Sequence, residues 1–503
     1  MKNDILLCTL NASYMHCAFG LRYIYANLGK LQARAKILEF TIQQRPIDIA
    51  ERLLGGNPKI IGFSVYIWNI SEISQVISLV KQIRPEVVLV AGGPEVSFAS
   101  DLPEVSRYLD HIVTGPGEIS FREICATLLE GRPVEANIVA GKTVSLDDLE
   151  LPYAFYNEED IRNRLIYVEA SRGCPFKCEF CLSSLDKTAW PFELTRFLGA
   201  MDDLYRRGAR NFKFIDRTFN LRVSSSVAIL EFFLERMDDD LYLHFEVIPD
   251  HLPDKLREVL VRFPTGRLQF EIGVQTFDPD IQKTISRRQN NDKTCANLRW
   301  LREQTGAHIH ADLIFGLPGD SMQNFALSFD RLVALNPQEI QLGILKRLRG
   351  APLNRHNETF ELRYNPNAPY NILSTRDINF ATMQRVNRFA RFWDMIANSG
   401  RFKNTLPLVL ADEPFARFLQ LSDCIYDLAQ STWKISLRRL FALLFTAMTD
   451  GLNIPPERAS VALEADYQLS GQKGVMDLGK PASDKISAPG IANKRQRQHQ
   501  RVG

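Results

Sequence analysis

Residues 165–183 read LIYVEASRGCPFKCEFCLS, and this stretch decides how the rest of the chain is interpreted. Its first six residues are an apolar run that predicts a short strand. Three cysteines then follow on one tight loop, at Cys174, Cys178 and Cys181. Three thiolates this close in sequence can hold three corners of a cubane iron–sulfur cluster and leave a fourth iron open.

A zinc site is the alternative for the same three cysteines. Closed zinc sites take four ligands, usually as two pairs with two residues between the partners. No histidine lies between Cys181 and His244, so a fourth ligand would have to come from a distant part of the chain. The iron–sulfur cluster is therefore the favoured interpretation.

The composition indicates a globular protein without an obvious polyanionic partner. The chain has 503 residues, of which 45% are hydrophobic, and 61 Lys and Arg against 59 Asp and Glu leave a net charge of +2. This balance argues against a nucleic-acid-binding protein. No apolar run reaches the roughly 18–20 residues that span a bilayer, and residues 1–8 predict a strand rather than a secretory leader. We therefore expect a cytoplasmic protein without a membrane partner.

The other five cysteines are scattered singly, and we expect them to be small buried hydrophobic residues in a reducing compartment. They are Cys8, Cys17, Cys125, Cys295 and Cys424.

From residue 165 to residue 350 the sequence alternates strand and helix patterns. Six such βα units predict a partial or full TIM-like barrel. The predicted strands are Leu165–Ala170, Asn211–Asp216, Tyr242–Val247, Arg267–Gln275, His308–Phe315 and Glu339–Leu345.

Residues 1–131 show the same alternation on a smaller scale and predict a separate α/β domain. Strands that alternate with helices form a parallel sheet covered on both faces, and such sheets bind ligands in loops at the carboxyl ends of their strands. The predicted strands are Ile5–Leu10, Ala35–Phe40, Lys59–Val65, Glu86–Ala91 and His111–Thr114.

The remaining segments carry weaker patterns. Residues 132–164 are rich in acidic and turn residues and predict a surface linker. Residues 351–468 contain amphipathic helix patterns and predict a helical domain. Residues 469–503 are poor in apolar side chains and predict a disordered tail.

The cysteine loop, placed at the end of the first barrel strand, resembles that of radical S-adenosylmethionine (SAM) enzymes. In that family a [4Fe-4S] cluster binds SAM through its open iron and cleaves it to a 5′-deoxyadenosyl radical. The resemblance implies that Cys174, Cys178 and Cys181 are the cluster ligands and that Phe180 lies beside the adenine.

Four further residues match positions that bind SAM in this family. The resemblance implies that Glu246 is an acidic contact on the third strand and that Gln275, in Gly273-Val274-Gln275, reaches the ribose. It also implies that Arg287 pairs with the SAM carboxylate and that Asp312 is a further ribose or SAM contact. A guanidinium fork and carboxylates suit a zwitterionic ligand that carries a diol.

The first domain resembles the cobalamin-binding, Rossmann-like domain that precedes the barrel in one group of these enzymes. The resemblance is carried by Ser64-Val65-Tyr66, by Gly92-Gly93 and by Gly115-Pro116-Gly117-Glu118. It implies that Ser64, Gly92, Gly93, Gly115, Gly117 and Glu118 border the cobalamin, because small residues leave room for its nucleotide tail.

His16 departs from the best-known cobalamin motif, Asp-x-His-x-x-Gly, because the Asp and the Gly are missing around it. In the radical SAM fusions that this chain resembles, cobalt is commonly left without a protein histidine, so we predict that His16 is a loop or packing residue and not a cobalt ligand.

Together these resemblances imply a cobalamin-dependent radical SAM enzyme, most simply a methyltransferase acting on an unactivated carbon. The alternative is a cobalamin-binding radical SAM enzyme that does not methylate, such as a cyclase, an oxidase or a rearrangement enzyme. The expected partners are a small-molecule or peptide substrate and an external one-electron reductant of the flavodoxin or ferredoxin type.

Two related groups fit less well. Methylthiotransferases acting on tRNA carry three more grouped cysteines in the first domain and a basic β-barrel at the end, and coproporphyrinogen-oxidase-like enzymes would lack a domain resembling residues 1–130. The C-terminal region resembles an uncharacterised helical domain.

Overall fold

The structure is a computed structural model that describes residues 3–471. It divides into two units, the first formed by residues up to 328 together with 334–380, and the second by residues 329–333 and those from 381 onward. The disordered tail predicted at 469–503 lies outside the described residues from position 472 on.

The first unit begins with a six-stranded parallel sheet. Its strands are β1 (Ile5–Asn11), β2 (Ala35–Thr41), β3 (Ile60–Ser64), β4 (Val88–Gly92), β5 (His111–Thr114) and β6 (Ile138–Ala140), in the order β2-β1-β3-β4-β5-β6. Four helices cover it, α1 (Phe19–Ala26), α2 (Pro46–Leu54), α3 (Ile70–Ile83) and α4 (Glu118–Leu129). The strand order reverses at β1 and β3, and at this switch point a crevice opens beyond the carboxyl ends of the strands. The predicted Rossmann-like fold is confirmed.

The central strand β1 is buried along its whole length, because helices cover both faces of the sheet. Its alternate side chains enter two separate cores. Leu6, Cys8 and Leu10 pack in the core that includes residues of α2 and α3, whereas Ile5 and Leu7 pack in the core that includes residues of α1 and α4.

A second six-stranded parallel sheet forms the partial barrel. The strands of this region are β7 (Ile166–Val168), β8 (Ser171–Arg172), β9 (Trp190–Pro191), β10 (Asn211–Phe214), β11 (Tyr242–Val247), β12 (Leu268–Gln275), β13 (His308–Phe315) and β14 (Glu339–Ile344). The parallel order is β14-β13-β12-β11-β10-β7, and β8 and β9 form a separate antiparallel pair around the cysteine loop. Within residues 3–471, β7 and β14 are not paired, so the sheet stays open on that side.

Helices follow most of these strands, as in a βα series. They are α6 (Leu194–Arg206), α7 (Val223–Leu234), α8 (Asp254–Leu260), α9 (Pro279–Thr284), α10 (Asn291–Gln304) and α11 (Met322–Ala334), and a further short helix, α5 (Glu158–Asn163), precedes β7. A short antiparallel pair, β15 (Arg363–Tyr364) and β16 (Ile372–Ser374), comes after the sheet.

The predicted linker is more ordered than its composition indicates. It contributes strand β6 and helix α5, and Tyr153 and Tyr156 are buried. The Tyr156 hydroxyl donates to the carbonyl oxygen of Tyr167 at 2.7 Å. Buried tyrosines need such partners for their hydroxyls, and here the partner is a backbone oxygen of the barrel.

Four buried charges tie this linker to the first sheet. Arg22 of α1 lies 2.7 Å from Glu39 of β2 and 2.6 Å from Asp160 of α5. Arg164 closes the network, 2.8 Å from Asp160 and 3.1 Å from Glu39. Because each side chain is at most 11% exposed, loss of one member would leave the buried network with a net charge that no partner compensates.

The second unit is helical, as predicted. Its helices are α12 (Phe380–Trp393), α13 (Thr405–Leu410), α14 (Pro414–Ala429), α15 (Leu437–Thr446) and α16 (Pro456–Leu469), and π-helical turns follow α12 and α15. Its core contains an aromatic cluster of Phe389, Trp393 and Phe418. The predicted domain begins at residue 351, whereas residues 351–380 pack with the first unit. Among the described residues, no helix is long and apolar enough to cross a membrane.

Candidate functional site

The cysteine loop leaves β7 and returns to α6, with its two ends held by the β8–β9 pair. The backbone N–H of Cys174 donates to the Asp186 carbonyl at 3.0 Å, and that of Cys181 donates to the Cys178 carbonyl at 3.1 Å. Gly173 has φ +97°, and a Cβ there would lie 2.6 Å from the Thr188 carbonyl oxygen. Glycine is therefore required where the loop begins.

The three cysteines line one cavity of about 320 Å³. The structure brings all five predicted SAM residues to this cavity, on elements far apart in sequence. Phe180 comes from the cysteine loop, and the others come from strand ends or nearby turns: Glu246, Gln275, Arg287 and Asp312.

The arrangement of the thiols suits a cluster better than a single metal ion. In the described part of the chain, no three Cys, His, Asp or Glu side chains converge on one ion position. In a cubane cluster each thiolate binds a different iron, so the sulfurs need not converge.

Next to Cys178 lies a cation that partly offsets the effect of burial on its thiol. Burial raises the pKa of Cys178, whereas the Arg287 guanidinium beside it lowers that pKa. Nη1 of Arg287 lies 3.6 Å from Cys178 Sγ. A cation at this distance stabilises negative charge on the sulfur.

Gln275 has an unusual backbone conformation and a side-chain oxygen without a hydrogen-bond partner. It adopts φ +70°, which is unfavourable for a residue with a Cβ, at a break in the register between β12 and β13. Its Oε1 is buried and has no hydrogen-bond partner. An orphaned acceptor in this cavity suits a ligand with hydroxyl donors, such as the ribose of SAM.

Arg287 and Glu246 already have protein partners. Arg287 donates to the Gly273 carbonyl through Nη2 and to Gln289 Oε1 at 3.0 Å. Nη1 of Arg217 lies 2.9 Å from both carboxylate oxygens of Glu246. Arg217 therefore sets the position of Glu246 at the cavity wall.

The pKa values of two carboxyl groups that line this cavity are shifted in opposite directions. Burial by itself raises the pKa of Glu271, but His244 and Lys213, each 2.9 Å from its Oε1, lower that pKa to about 2. For Asp312, burial and then the neighbouring carboxylates of Glu271 and Glu246 raise the pKa to about 7. The cavity thus contains one fixed anion and one carboxyl that titrates near neutrality.

Several cavity residues were missed by the sequence interpretation. Arg217 and Glu271 line the cavity, and His310 Nε2 lies 3.5 Å from Asp312 Oδ1. The sequence does contain a pattern that indicates these strand residues, because polar and apolar residues alternate along β11, β12 and β13. The polar residues are His244, Glu246, Gln269, Glu271, His308, His310 and Asp312.

A second cavity, here called the slot, lies in the first domain and measures about 280 Å³. It lies between the carboxyl-terminal parts of the strands and helices α1 and α4. Its lining includes all six residues predicted to border cobalamin, Ser64, Gly92, Gly93, Gly115, Gly117 and Glu118.

The glycines of the slot serve different purposes. A Cβ on Gly93, at φ +108°, would lie 2.5 Å from the Val65 carbonyl oxygen, so the backbone itself requires glycine there. A Cβ on Gly117 would meet Ile24 Cδ1 at 2.9 Å. At Gly92 a Cβ would meet no atom closer than 3.6 Å, so this glycine keeps space open in the slot, whereas Gly115 has φ +72°, which itself favours glycine. Because larger side chains at these positions would fill the slot, their absence leaves room for a bulky, flat part of a ligand.

A third cavity, of about 530 Å³, lies between the first domain and the barrel, within the same unit. Its aromatic walls come from both sides, with Phe19, Tyr23, Tyr66 and Trp68 from the first domain and Tyr167 from β7. It shares lining residues with the slot, namely Gly20, Tyr66, Glu118 and Arg172. Arg172 spans the boundary, 2.8 Å from Glu118 and 2.6 Å from Glu169.

His16 lines this third cavity and not the slot. Its Nδ1 lies 2.7 Å from the Tyr167 hydroxyl, and burial lowers the pKa of its ring. The His16 ring therefore contacts the barrel wall.

Family models match three consecutive parts of the chain. Residues 6–125 match the B12 binding domain, residues 168–332 match the radical SAM superfamily, and residues 358–500 match a protein of unknown function, DUF4080. The two domains predicted from the sequence motifs are confirmed.

Among curated proteins, the chain is 25% identical over 351 residues to the cobalamin-dependent radical SAM methyltransferase TokK of Streptomyces tokunonensis, covering 62% of this chain and 51% of that protein. It is 24% identical to the 2-(S-pantetheinyl)-carbapenam-3-carboxylate methyltransferase of Streptantibioticus cattleyicolor, covering 61% and 50%. The chain thus spans about half the length of these relatives.

Among solved structures, the radical SAM methyltransferase TsrM from Kitasatospora setae, with cobalamin and a [4Fe-4S] cluster bound, matches with a TM-score of 0.58 at 17% identity. The match covers 73% of this chain and 81% of that one, and it supports the fold. The chain therefore contains a B12-binding domain followed by a radical SAM domain, and it is homologous to cobalamin-dependent radical SAM methyltransferases.

Proposed function

We propose that this protein is a cobalamin-dependent radical SAM methyltransferase that binds a [4Fe-4S] cluster, SAM and cobalamin. The observation that carries the proposal is the third cavity, whose walls come from both the first domain and the barrel. A substrate there would lie next to the slot, with which this cavity shares four lining residues, and against β7, the strand that leads into the cysteine loop.

On the barrel side, Cys174, Cys178 and Cys181 would hold the cluster, and Phe180 would pack against the adenine. Arg287, next to Cys178, would pair with the SAM carboxylate. Gln275, whose Oε1 has no partner, and Asp312 would bind the ribose, and Glu246 would hold the amino group. Each of these assignments uses a side chain that lines the same cavity.

On the other side, the slot would hold the nucleotide tail of cobalamin. Gly92 and Gly115 would leave room for it, and Ser64 and Glu118 would offer polar contacts at the slot wall. Gly93 would maintain the close packing against the Val65 backbone, and Gly117 the close packing against the Ile24 side chain, that shape the slot.

When bound, these groups supply a 5′-deoxyadenosyl radical and a transferable methyl group. The chain supplies orientation and exclusion of water, which are the protein's main contributions in cofactor enzymes. The aromatic walls of the third cavity serve both purposes, because Tyr66 and Trp68 stack with ring centroids 4.2 Å apart and present a flat apolar surface.

The proposal includes a small-molecule or peptide substrate and an external one-electron reductant of the flavodoxin or ferredoxin type. A small-molecule substrate is consistent with one of the relatives, which is a methyltransferase for a carbapenam carboxylate.

The test is anaerobic purification, reconstitution with iron, sulfide and cobalamin, and incubation with SAM and a reductant. A methyltransferase should form S-adenosylhomocysteine, the product that remains when SAM donates a methyl group, as well as 5′-deoxyadenosine. A non-methylating enzyme would form 5′-deoxyadenosine alone. Formation of neither product by iron- and cobalamin-loaded protein would contradict both functions.

A further inference from the structure

A buried carboxylate lies inside the cysteine loop and has no role in the assignments above. Glu179 stands between Cys178 and Cys181, and its side chain is only 4% exposed. A buried carboxylate is costly unless it is paired and hydrogen-bonded. The partners of Glu179 therefore indicate what it does.

Three side chains converge on Glu179 from two distant segments. The Ser286 hydroxyl donates to Oε1 at 2.5 Å, and the Arg355 guanidinium donates to the same oxygen. Nε2 of His356 lies 2.8 Å from Oε2. Both carboxylate oxygens are therefore occupied, one by a hydroxyl and a guanidinium and the other by an imidazole.

The backbone of Glu179 joins the same two segments. Its N–H donates to the carbonyl oxygen of Ile285 at 3.0 Å, and its carbonyl oxygen accepts from the N–H of Leu353 at 3.0 Å. One residue of the cysteine loop thus fastens a turn at residues 285–286 and a segment at residues 353–356.

The turn held by Glu179 is the one that presents Arg287. Ser286 adopts φ +54°, an unfavourable conformation for a residue with a Cβ, so contacts must hold it in place. The next residue, Arg287, reaches back to Cys178, whose Sγ lies 3.6 Å from Nη1. Glu179, Ser286, Arg287 and Cys178 therefore form a closed circuit around the cysteine-lined cavity.

We propose that Glu179 is a positioning residue that fixes the cysteine loop against the turn at residues 285–286 and so places Arg287 for binding the SAM carboxylate. This inference rests on the proposed binding of SAM in the same cavity. The segment 353–356 supplies Arg355 and His356, which hold the Glu179 carboxylate. This segment lies between the radical SAM match, which ends at residue 332, and the DUF4080 match, which begins at residue 358.

The first experiment is Glu179→Gln in the full chain with its cluster reconstituted. Glutamine keeps the shape and one acceptor oxygen but cannot pair with Arg355 and His356 as a carboxylate does. We expect iron content to be unchanged and the SAM dissociation constant to rise about tenfold, as for loss of a charge-assisted interaction. The change that SAM causes in the electron paramagnetic resonance spectrum of the reduced cluster should weaken in parallel.

A matched control is Glu231→Gln. Glu231 lies on helix α7, away from the cavity, and this substitution removes its ion pair with Arg262. It should leave the SAM dissociation constant and the cluster spectrum unchanged.

The decisive comparison is a double-mutant cycle with Arg287→Ala, which alone should raise the SAM dissociation constant by roughly a hundredfold. If Glu179 acts through Arg287, adding Glu179→Gln to Arg287→Ala should cause no further loss of affinity. Additive losses would overturn the proposal, as would a normal SAM affinity in Glu179→Gln.

Ser286→Ala keeps the proposal testable should Glu179→Gln assemble its cluster poorly. This variant removes one donor and leaves the carboxylate paired with Arg355 and His356, and we expect a smaller loss of SAM affinity with full iron content. Loss of iron in both variants would make Glu179 part of the folding of the loop and would overturn the proposal. Failure of the unsubstituted protein to bind SAM would contradict the proposed function instead.

Discussion

The cysteine-lined cavity and the slot both lie toward the carboxyl ends of parallel strands, but they are built in opposite ways. The cavity is built from what side chains present, namely three thiols, an unpaired amide oxygen on Gln275 and charges of both signs. The slot depends largely on the absence of side chains, because four of its six predicted residues are glycines. Chemistry defines the first site and shape defines the second.

This difference determines how each site should respond to substitution. A site defined by chemistry loses its ligand when one donor is removed, even if the fold is unchanged. A site defined by shape tolerates loss of polar groups but fails when atoms are added. The two sites lie on separate sheets with separate cores, so damage to one should leave the other intact.

The largest expected effect is loss of the cluster in Cys174→Ala, Cys178→Ala or Cys181→Ala. Each thiolate serves a separate corner of the cluster, so no neighbour can replace it. We expect loss of the brown absorbance, of iron and of all SAM cleavage, with cobalamin binding retained. Cys295→Ala, which removes a buried cysteine of α10, should keep its iron. SAM cleavage by any of the three loop variants would contradict the cluster assignment.

The reverse experiment adds atoms to the slot. Gly92→Val places a side chain where a Cβ meets no atom closer than 3.6 Å, and valine suits the end of a strand. We expect cobalamin to be lost on gel filtration while iron content is unchanged.

Gly93 is less suitable for this test, because a Cβ there would strike the Val65 backbone and disturb the local fold. The matched control is Gly56→Val, since a Cβ at this loop position meets no atom within 4 Å and the residue does not line the slot. Normal cobalamin retention by Gly92→Val would exclude the slot as the site of the nucleotide tail.

A smaller effect is expected from pH and is confined to the cavity defined by chemistry. The pKa of Asp312 is raised to about 7, so below that pH the empty protein keeps this carboxyl protonated. SAM carries a net positive charge and favours the ionised form, so its binding should expel the proton. Affinity should therefore rise with pH and be about tenfold weaker at pH 6 than at pH 8.

Asp312→Asn should flatten this pH dependence, as measured by SAM binding in calorimetry. Asp320→Asn is the matched control, because burial raises the pKa of Asp320 to about 7 as well, yet this residue does not line the cavity. An unchanged pH profile in Asp312→Asn would exclude Asp312 as the responsible group.

The same contrast explains which features could be predicted from the sequence. Five of the six strands of the first sheet and all six of the second were found because their apolar runs and alternation depend on neighbouring residues alone, whereas the short β6 lay in the predicted linker. The cysteine loop was found because its three donors lie within eight residues of chain. The slot glycines carry no chemical signal of their own, and only the resemblance to a known domain indicated them.

Features that depend on pairing between distant residues were missed. Glu179 looks like an ordinary loop residue until Arg355 and His356, about 176 positions away, contact it. Asp160 appeared to be a linker acid, yet it pairs with Arg22 across 138 positions. Such partners are set by tertiary packing, which local pattern does not encode.

The smallest expected effect concerns His16, where we predict no change at all. If no side chain ligates cobalt, bound cob(II)alamin should give an electron paramagnetic resonance spectrum without nitrogen superhyperfine splitting, and His16→Ala should leave it unaltered. In the structure His16 Nδ1 lies 2.7 Å from the Tyr167 hydroxyl, and the ring lines the third cavity rather than the slot. Tyr167→Phe, which frees His16 from its partner, should likewise leave the spectrum unaltered. Nitrogen splitting that disappears in His16→Ala would make this histidine a cobalt ligand. Cobalamin binding would then depend on a donor side chain as well as on the shape of the slot.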